Sequence, residues 1–132
     1  MNESFYISTN HISIRVKDLK KSFHFYHKVL QLPIVRIIGS KDKPKLIFLK
    51  GLELSQMEPN NDVCHHSRDF FSHIGFEVEK IEEWIERLEM EGVQFTTRFK
   101  DIKFEKKKFA VKVSFFLDPD GIPLELVEWR EL

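Results

Sequence analysis

The stretch Asn10-His11-Ile12-Ser13-Ile14-Arg15-Val16 returns further along the chain as Ser72-His73-Ile74-Gly75-Phe76-Glu77-Val78. Both copies read polar, His, Ile, small, apolar, charged, Val. Each alternates with period two, which predicts a strand with one buried face. A self-match at one fixed offset is the mark of an internally duplicated fold.

The match extends outward from these strands. After the first copy, Asp18 is positioned as an N-cap, and Leu19, Phe23, Tyr26 and Leu30 recur at helical spacing. After the second, Ile81, Trp84, Ile85 and Leu88 do the same, and Gly92 stands where a helix ends. Strands are expected at 34–38 and 94–99. Each half then closes with two more: 46–49 turning at Lys50-Gly51 into 52–57, and 111–117 turning at Asp118-Pro119-Asp120-Gly121 into 123–127. The tripeptide Leu-Glu-Leu lies in the last strand of both halves. The expected class is therefore α+β: two tandem βαβββ modules, 1–60 and 70–132, forming a curled mixed sheet with both helices on its outer face. A module of about 60 residues has only a marginal core alone, which favours one domain over 1–132. The polar stretch from Pro59 to Arg68 reads as the linker.

Bulk properties exclude several function classes. Lys plus Arg and Asp plus Glu number 21 each, so no net field draws the protein to nucleic acid or an anionic membrane. The single cysteine, Cys64, allows neither an internal disulfide nor a CxxC site. The polar start and the lack of a long apolar run lead to the expectation of a cytoplasmic chain without signal peptide or membrane span.

Strand alternation also places the polar side chains. With Ile12, Ile14 and Val16 turned to the helix, His11, Ser13 and Arg15 face the opposite side. By the same rule Ile74, Phe76 and Val78 turn inward, leaving His73, Gly75 and Glu77 outward. Leu52 and Leu54 flank an outward Glu53, and Leu124 and Leu126 flank an outward Glu125. A lone His or Glu on an open sheet face is ordinarily just solvated. The joint placement is what carries chemistry: each half contributes one imidazole and one carboxylate, so pseudo-twofold packing would gather His11, Glu53, His73 and Glu125 around one divalent metal. Two nitrogens and two carboxylates suit nickel, cobalt, zinc, manganese or iron, with positions left over for substrate. Calcium and magnesium prefer oxygen donors.

Through Asn10-His11-Ile12, Phe25-Tyr26-x-x-x-Leu30, the His73 strand and Asp118 to Leu126, the chain resembles the vicinal oxygen chelate superfamily. That group includes glyoxalase I, fosfomycin-resistance proteins, methylmalonyl-CoA epimerase and extradiol dioxygenases. The His/Glu/His/Glu set is similar to that of short bacterial glyoxalase I. The resemblance implies a metal-dependent lyase that turns a thiol–2-oxoaldehyde hemithioacetal into a 2-hydroxyacyl thioester, with glutathione or another low-molecular-weight thiol as co-substrate. It implies Glu125 as the catalytic base with Glu53 as its partner across the metal, and Arg15 and Met57 at the substrate. Arg15 matches the arginine that holds the glutathione carboxylate, whereas Met57 replaces an asparagine usual there. Epimerases commonly carry glutamine at the Glu53 position, and fosfomycin-resistance enzymes need only the two histidines and the final glutamate. An epimerase, a fosfomycin-resistance-like transferase and a metal-free binding protein are the alternative readings.

The resemblance also implies a homodimer that pairs the first module of one chain with the second module of the other. The linker, about 35 Å when extended, permits that exchange or pairing within the chain. Three further signals carry less. His24 and His27 lie on the edge of the first helix, Cys64-His65-His66 has no further ligand nearby, and the lysines from Lys100 to Lys108 are diluted by Asp101 and Glu105. The last reads as a solvated hairpin or loop, and next as a segment that closes over an anionic substrate.

Overall fold

The computed structural model describes residues 8–58 and 72–132, so the whole of the expected linker, including Cys64-His65-His66, lies outside the described residues. Two compact units emerge, one holding the first repeat and one the second. The first runs β1 (His11–Val16), α1 (Leu19–Phe23) continued by a π-helical stretch (His24–Val29), β2 (Ile34–Gly39), β3 (Pro44–Leu49) and β4 (Gly51–Gln56). The second runs β5 (Ile74–Glu77), α2 (Ile81–Met90), β6 (Phe95–Phe104), a 3-10 turn (Glu105–Lys107), β7 (Phe109–Leu117) and β8 (Pro123–Glu131). Each is a βαβββ module, and the fold is α+β as expected.

Each module holds one four-stranded mixed sheet, ordered β1-β4-β3-β2 in the first and β5-β8-β7-β6 in the second. The first and last strands pair in parallel, and the remaining pairs are antiparallel. A parallel pair needs a long crossover, and the helix with its two following strands supplies it. The helix-side core of the first module contains Val16, Leu19, Tyr26, Leu52 and Leu54; Ile74, Ile81, Ile85, Leu88, Leu124 and Leu126 are its counterparts in the second.

Some boundaries and one facing differ from expectation. Strands β6 and β8 run longer than the apolar pattern indicated, because Lys100 to Phe104, with exposed side chains, and Glu128 to Glu131 stay paired to β7. The lysine-rich segment is accordingly a hairpin. Phe104 and Phe109 stack at its end, 4.8 Å apart, with Trp129 against Phe109. In β1 only Val16 is fully buried, while Ile12 keeps 42% of its surface open. The reason is position: β1 is the terminal strand of its sheet, with β4 as its one neighbour there. The first helix begins at Asp18, whose Oδ1 accepts from the Lys21 N–H at 3.2 Å, and then widens so that the Leu30 N–H reaches the Phe25 carbonyl, a π-type spacing. No described helix is long and apolar enough to cross a membrane.

A side chain from the last strand ties down the start of each helix. The Gln56 Oε1 accepts from the Leu19 N–H at 2.9 Å, and its Nε2 donates to the Lys17 carbonyl at 2.6 Å. In the second module the Glu128 carboxylate accepts from the N–H groups of Lys80 (3.0 Å) and Ile81 (3.2 Å). Gln56 and Glu128 occupy the same place in the repeat, three residues after the glutamate of Leu-Glu-Leu. The first-turn amides have no partner within their own helix, so each tie satisfies donors that burial would otherwise orphan. At the exposed face of α2, the Lys112 ammonium hydrogen-bonds the Glu82 carboxylate at 2.7 Å and holds its pKa below the usual 4.5.

Two predictions follow from these contacts. Replacing Gln56 or Glu128 by alanine should each lower stability by about 1 kcal/mol in urea unfolding, the typical cost of a lost helix cap, while Glu128→Gln retains one acceptor and most of the stability. Second, in an NMR titration the Glu82 carboxylate should titrate below 4.5, and Lys112→Gln should return it upward. Because the folded value is depressed, this pair contributes above the unfolded carboxylate pKa. Its contribution fades as pH falls through the lower folded value, and solvent screening keeps it small.

Candidate metal centre

The parallel register decides which side chains meet. Ser13 lies beside Glu53 in the β1·β4 pair, and Gly75 beside Glu125 in the β5·β8 pair. His11 opens β1, and His73 immediately precedes β5. In both modules the histidine therefore stands two residues before the one opposite the glutamate, on the same strand face. The result is a His–Glu pair per module: His11 Nε2 lies 3.8 Å from Glu53 Oε1, and His73 Nε2 lies 3.4 Å from Glu125 Oε1. The imidazoles are 36% exposed in both, and the carboxylates 18% and 17%.

The surroundings of the two pairs are alike. Each imidazole meets a phenylalanine ring edge-on, His11 with Phe48 at 5.5 Å and His73 with Phe115 at 5.6 Å, both at 86°. These phenylalanines pair with the glutamates across the antiparallel ladder, Phe48 with Glu53 and Phe115 with Glu125. The second ring nitrogen is also occupied. His11 Nδ1 is 2.7 Å from Asn10 Oδ1, and His73 Nδ1 is 2.9 Å from Ser72 Oγ. An amide oxygen can only accept, so the His11 proton belongs on Nδ1, leaving the Nε2 lone pair turned towards Glu53. Such outer partners orient metal-binding histidines.

The donor chemistry fits a divalent ion. Neither Nε2–Oε1 distance is a hydrogen bond. Two donors bound to one ion at about 2.0–2.2 Å stand roughly 3.0–3.5 Å apart at ordinary ligand angles. The His73–Glu125 pair already has that separation, and the His11–Glu53 pair is slightly wider. An imidazole nitrogen and a carboxylate oxygen facing one gap make a borderline donor set suited to late first-row metals and zinc. The four expected ligands are thus brought together as two pairs, and among the described residues no group of three or more His, Cys, Asp or Glu gathers.

Other candidates fall into place. Arg15 pairs with Ser55 further along β1·β4, on the face that carries His11, and Met57 follows β4, its N–H donating to the Val16 carbonyl. His27 bonds the Leu32 carbonyl through Nδ1 at 2.9 Å and stacks on Phe23, which makes it part of the helix end rather than a ligand. Phe48 and Phe115 were not legible in the repeat, because they lie at different distances from their glutamates in sequence. The β3–β4 turn is tight at Lys50, whereas the β7–β8 turn takes in Asp118 to Ile122. There Asp118 Oδ1 accepts from the Asp120 and Ile122 N–H groups, both at 2.8 Å, and Gly121 takes a φ of +86°. Asn10 and Ser72 each precede their histidine and were detectable by that alone.

Comparison with known proteins agrees with this architecture. The family model described as Glyoxalase/Bleomycin resistance protein/Dioxygenase superfamily matches residues 8–126. The metallothiol transferase FosB of Staphylococcus saprophyticus is 31% identical over 122 residues, covering 90% of this chain and 75% of that protein. A lactoylglutathione lyase of Schizosaccharomyces pombe is 29% identical over 149 residues, covering 92% of this chain and 47% of that protein. Among solved structures, a glyoxalase family protein from Enterococcus faecalis superposes with a TM-score of 0.70 at 27% identity, covering 95% of this chain and all of that one. With nearly the whole chain matched and the tandem βαβββ modules in place, this protein belongs to the glyoxalase/bleomycin resistance/dioxygenase superfamily, the vicinal oxygen chelate group.

Proposed function

We propose that this protein is a metal-dependent enzyme of glyoxalase I type, in which His11, Glu53, His73 and Glu125 hold one divalent cation. The observation that carries the reading is the equivalence of the two His–Glu pairs, at 3.8 and 3.4 Å, each with a partner on the second ring nitrogen. A chain that only sequesters a ligand has no need of either pair. The cation, when bound, supplies Lewis-acid stabilisation of negative charge on two neighbouring substrate oxygens.

The chain's own residues do the rest. In a hemithioacetal the carbon bearing sulfur and hydroxyl carries the proton to be moved. Glu125 takes that proton, and the C–H electron pair becomes the carbon–carbon double bond of an enediolate while the neighbouring carbonyl pair passes to oxygen. Glu125 then returns the proton to the adjacent carbon, and the hydroxyl proton passes from the first oxygen to the second. The product is a 2-hydroxyacyl thioester, an isomer of the starting adduct. With only 17% of its side chain exposed, the Glu125 carboxylate is sheltered from exchange with bulk water during the transfer. Glu53 is its counterpart in the first module, and Arg15, with Met57 beyond it, offers a cation for the carboxylate of glutathione or another small thiol.

A second reading, transfer of a thiol to an electrophilic antibiotic of the fosfomycin kind, is favoured by the likeness to a metallothiol transferase. It requires only His11, His73 and Glu125, so Glu53 separates the two. We place the protein in the cytoplasm as a homodimer with first and second modules exchanged between chains. The folded unit is then a single paired domain, and strand edges open in a lone chain become covered.

Elemental analysis should find one nickel, cobalt, zinc, manganese or iron per chain. Assayed with methylglyoxal and a thiol, Glu125→Gln should lose isomerase activity by about 1000-fold with the fold intact, since an amide cannot carry the proton. Near-normal turnover in that variant removes Glu125 as the base. Thiol addition to fosfomycin that survives Glu53→Ala, without isomerase activity in the native protein, selects the transferase. Mixing His11→Ala chains with Glu125→Ala chains tests the exchange. Activity should reappear in the heterodimer, where half of the sites regain all four ligands, whereas sites confined to one chain leave the mixture inactive.

A further inference from the structure

Gly75 lies inside β5, where glycine has no evident conformational duty. Of the five glycines in the chain, the other four have positive φ and Gly75 does not. A glycine within a strand weakens it through lost backbone entropy and absent side-chain packing, and it commonly marks a close approach by another group. Here the approaching group is identifiable. A Cβ built on Gly75 meets one heavy atom within 4 Å, the Glu125 Oε1, at 3.0 Å. Gly75 is exposed, so no packing against a core explains its size.

The other module supplies an internal control. Ser13 occupies the place of Gly75, with a Cβ, opposite Glu53. There the His–Glu separation is 3.8 Å, against 3.4 Å where the glycine stands. The Phe48 and Phe115 contacts to the two histidines are nearly identical in distance and angle, so the rings are seated alike. Besides Asn10 and Ser72 on the second ring nitrogens, the pairs differ in the residue beside each carboxylate.

We propose that the missing side chain of Gly75 lets the Glu125 carboxylate lie down on β5 beside His73, which makes Gly75 a positioning residue for that half of the metal site. A methyl group at 75 needs the Oε1 atom to give by a few tenths of an ångström. The carboxylate can do so because it ends a flexible side chain, so the cost falls on the site and not on the fold. Metal–ligand distances tolerate only about 0.2 Å, so a shift of that size is felt in affinity. The inference rests on the reading of Glu125 as a metal ligand, and it makes the two carboxylates inequivalent: Glu125 is held close by a bare backbone, and Glu53 is held further off by Ser13.

The test uses cobalt(II) as probe, with affinity measured by chelator competition and the ligand field by visible absorption. Gly75→Ala and Gly75→Ser should bind cobalt about ten-fold more weakly than the native chain, with displaced absorption bands, while the Tm of the metal-free protein is unchanged or raised. Ser13→Gly should not weaken binding. In a Glu125→Ala background, Gly75→Ala should cost nothing more, because its effect passes through the carboxylate. Native affinity and an unaltered spectrum in Gly75→Ala overturn the proposal, as does a loss that persists without the Glu125 carboxylate, even where the single variant is less stable. If Glu125→Ala itself binds cobalt like the native chain, the metal reading falls first, and the role of Gly75 with it.

Discussion

In each module the chain leaves its first strand, passes through a helix and two antiparallel strands, and comes back to lay its last strand parallel to the first. Chemistry and packing both depend on that return. Parallel pairing with Ile12 beside Leu52 and Ile74 beside Leu124 turns the apolar residues of two distant segments to one face. The same register turns Glu53 and Glu125 to the other face, next to the strands that carry the histidines. A slip of one residue would reverse both faces together, so the burial of Leu52, Leu54, Leu124 and Leu126 is also what holds the carboxylates in place.

The crossover helix is coupled to the same register. Gln56 and Glu128 are acceptors for helix N-terminal amides, and they sit on the strands that carry Glu53 and Glu125. One segment therefore fixes the helix start through one side chain and sets a carboxylate beside a histidine through another. The duplicated pattern makes this arrangement twice with different chemistry. An amide serves in the first module and a carboxylate in the second, where negative charge also suits the positive end of α2.

Duplication does not produce identical halves. Ser13 stands beside Glu53 where Gly75 stands beside Glu125, and the turns before the last strands differ in length. Within this superfamily one frame carries different chemistry, as proteins named metallothiol transferase and lactoylglutathione lyase both match this chain.

The sequence by itself determined the repeat, the order of strands and helices, the α+β class, and the face on which His11, Glu53, His73 and Glu125 lie. All of these follow from local alternation and from like motifs recurring in the same order in both halves. Boundaries were less legible. The exposed residues from Lys100 to Lys103, polar apart from Ile102, carry no apolar pattern, yet they are held in β6 by backbone pairing to β7. The outer parts of the site were decided by tertiary structure. Phe48 and Phe115 reach their histidines across an antiparallel ladder whose connecting turns differ, so no shared spacing announced them. Gly75 read simply as a small residue in a strand pattern, and only the parallel neighbour placed Glu125 Oε1 where a Cβ would stand. Pairing between strands far apart in the chain sets these contacts, and periodicity along one strand holds no record of what lies beside it.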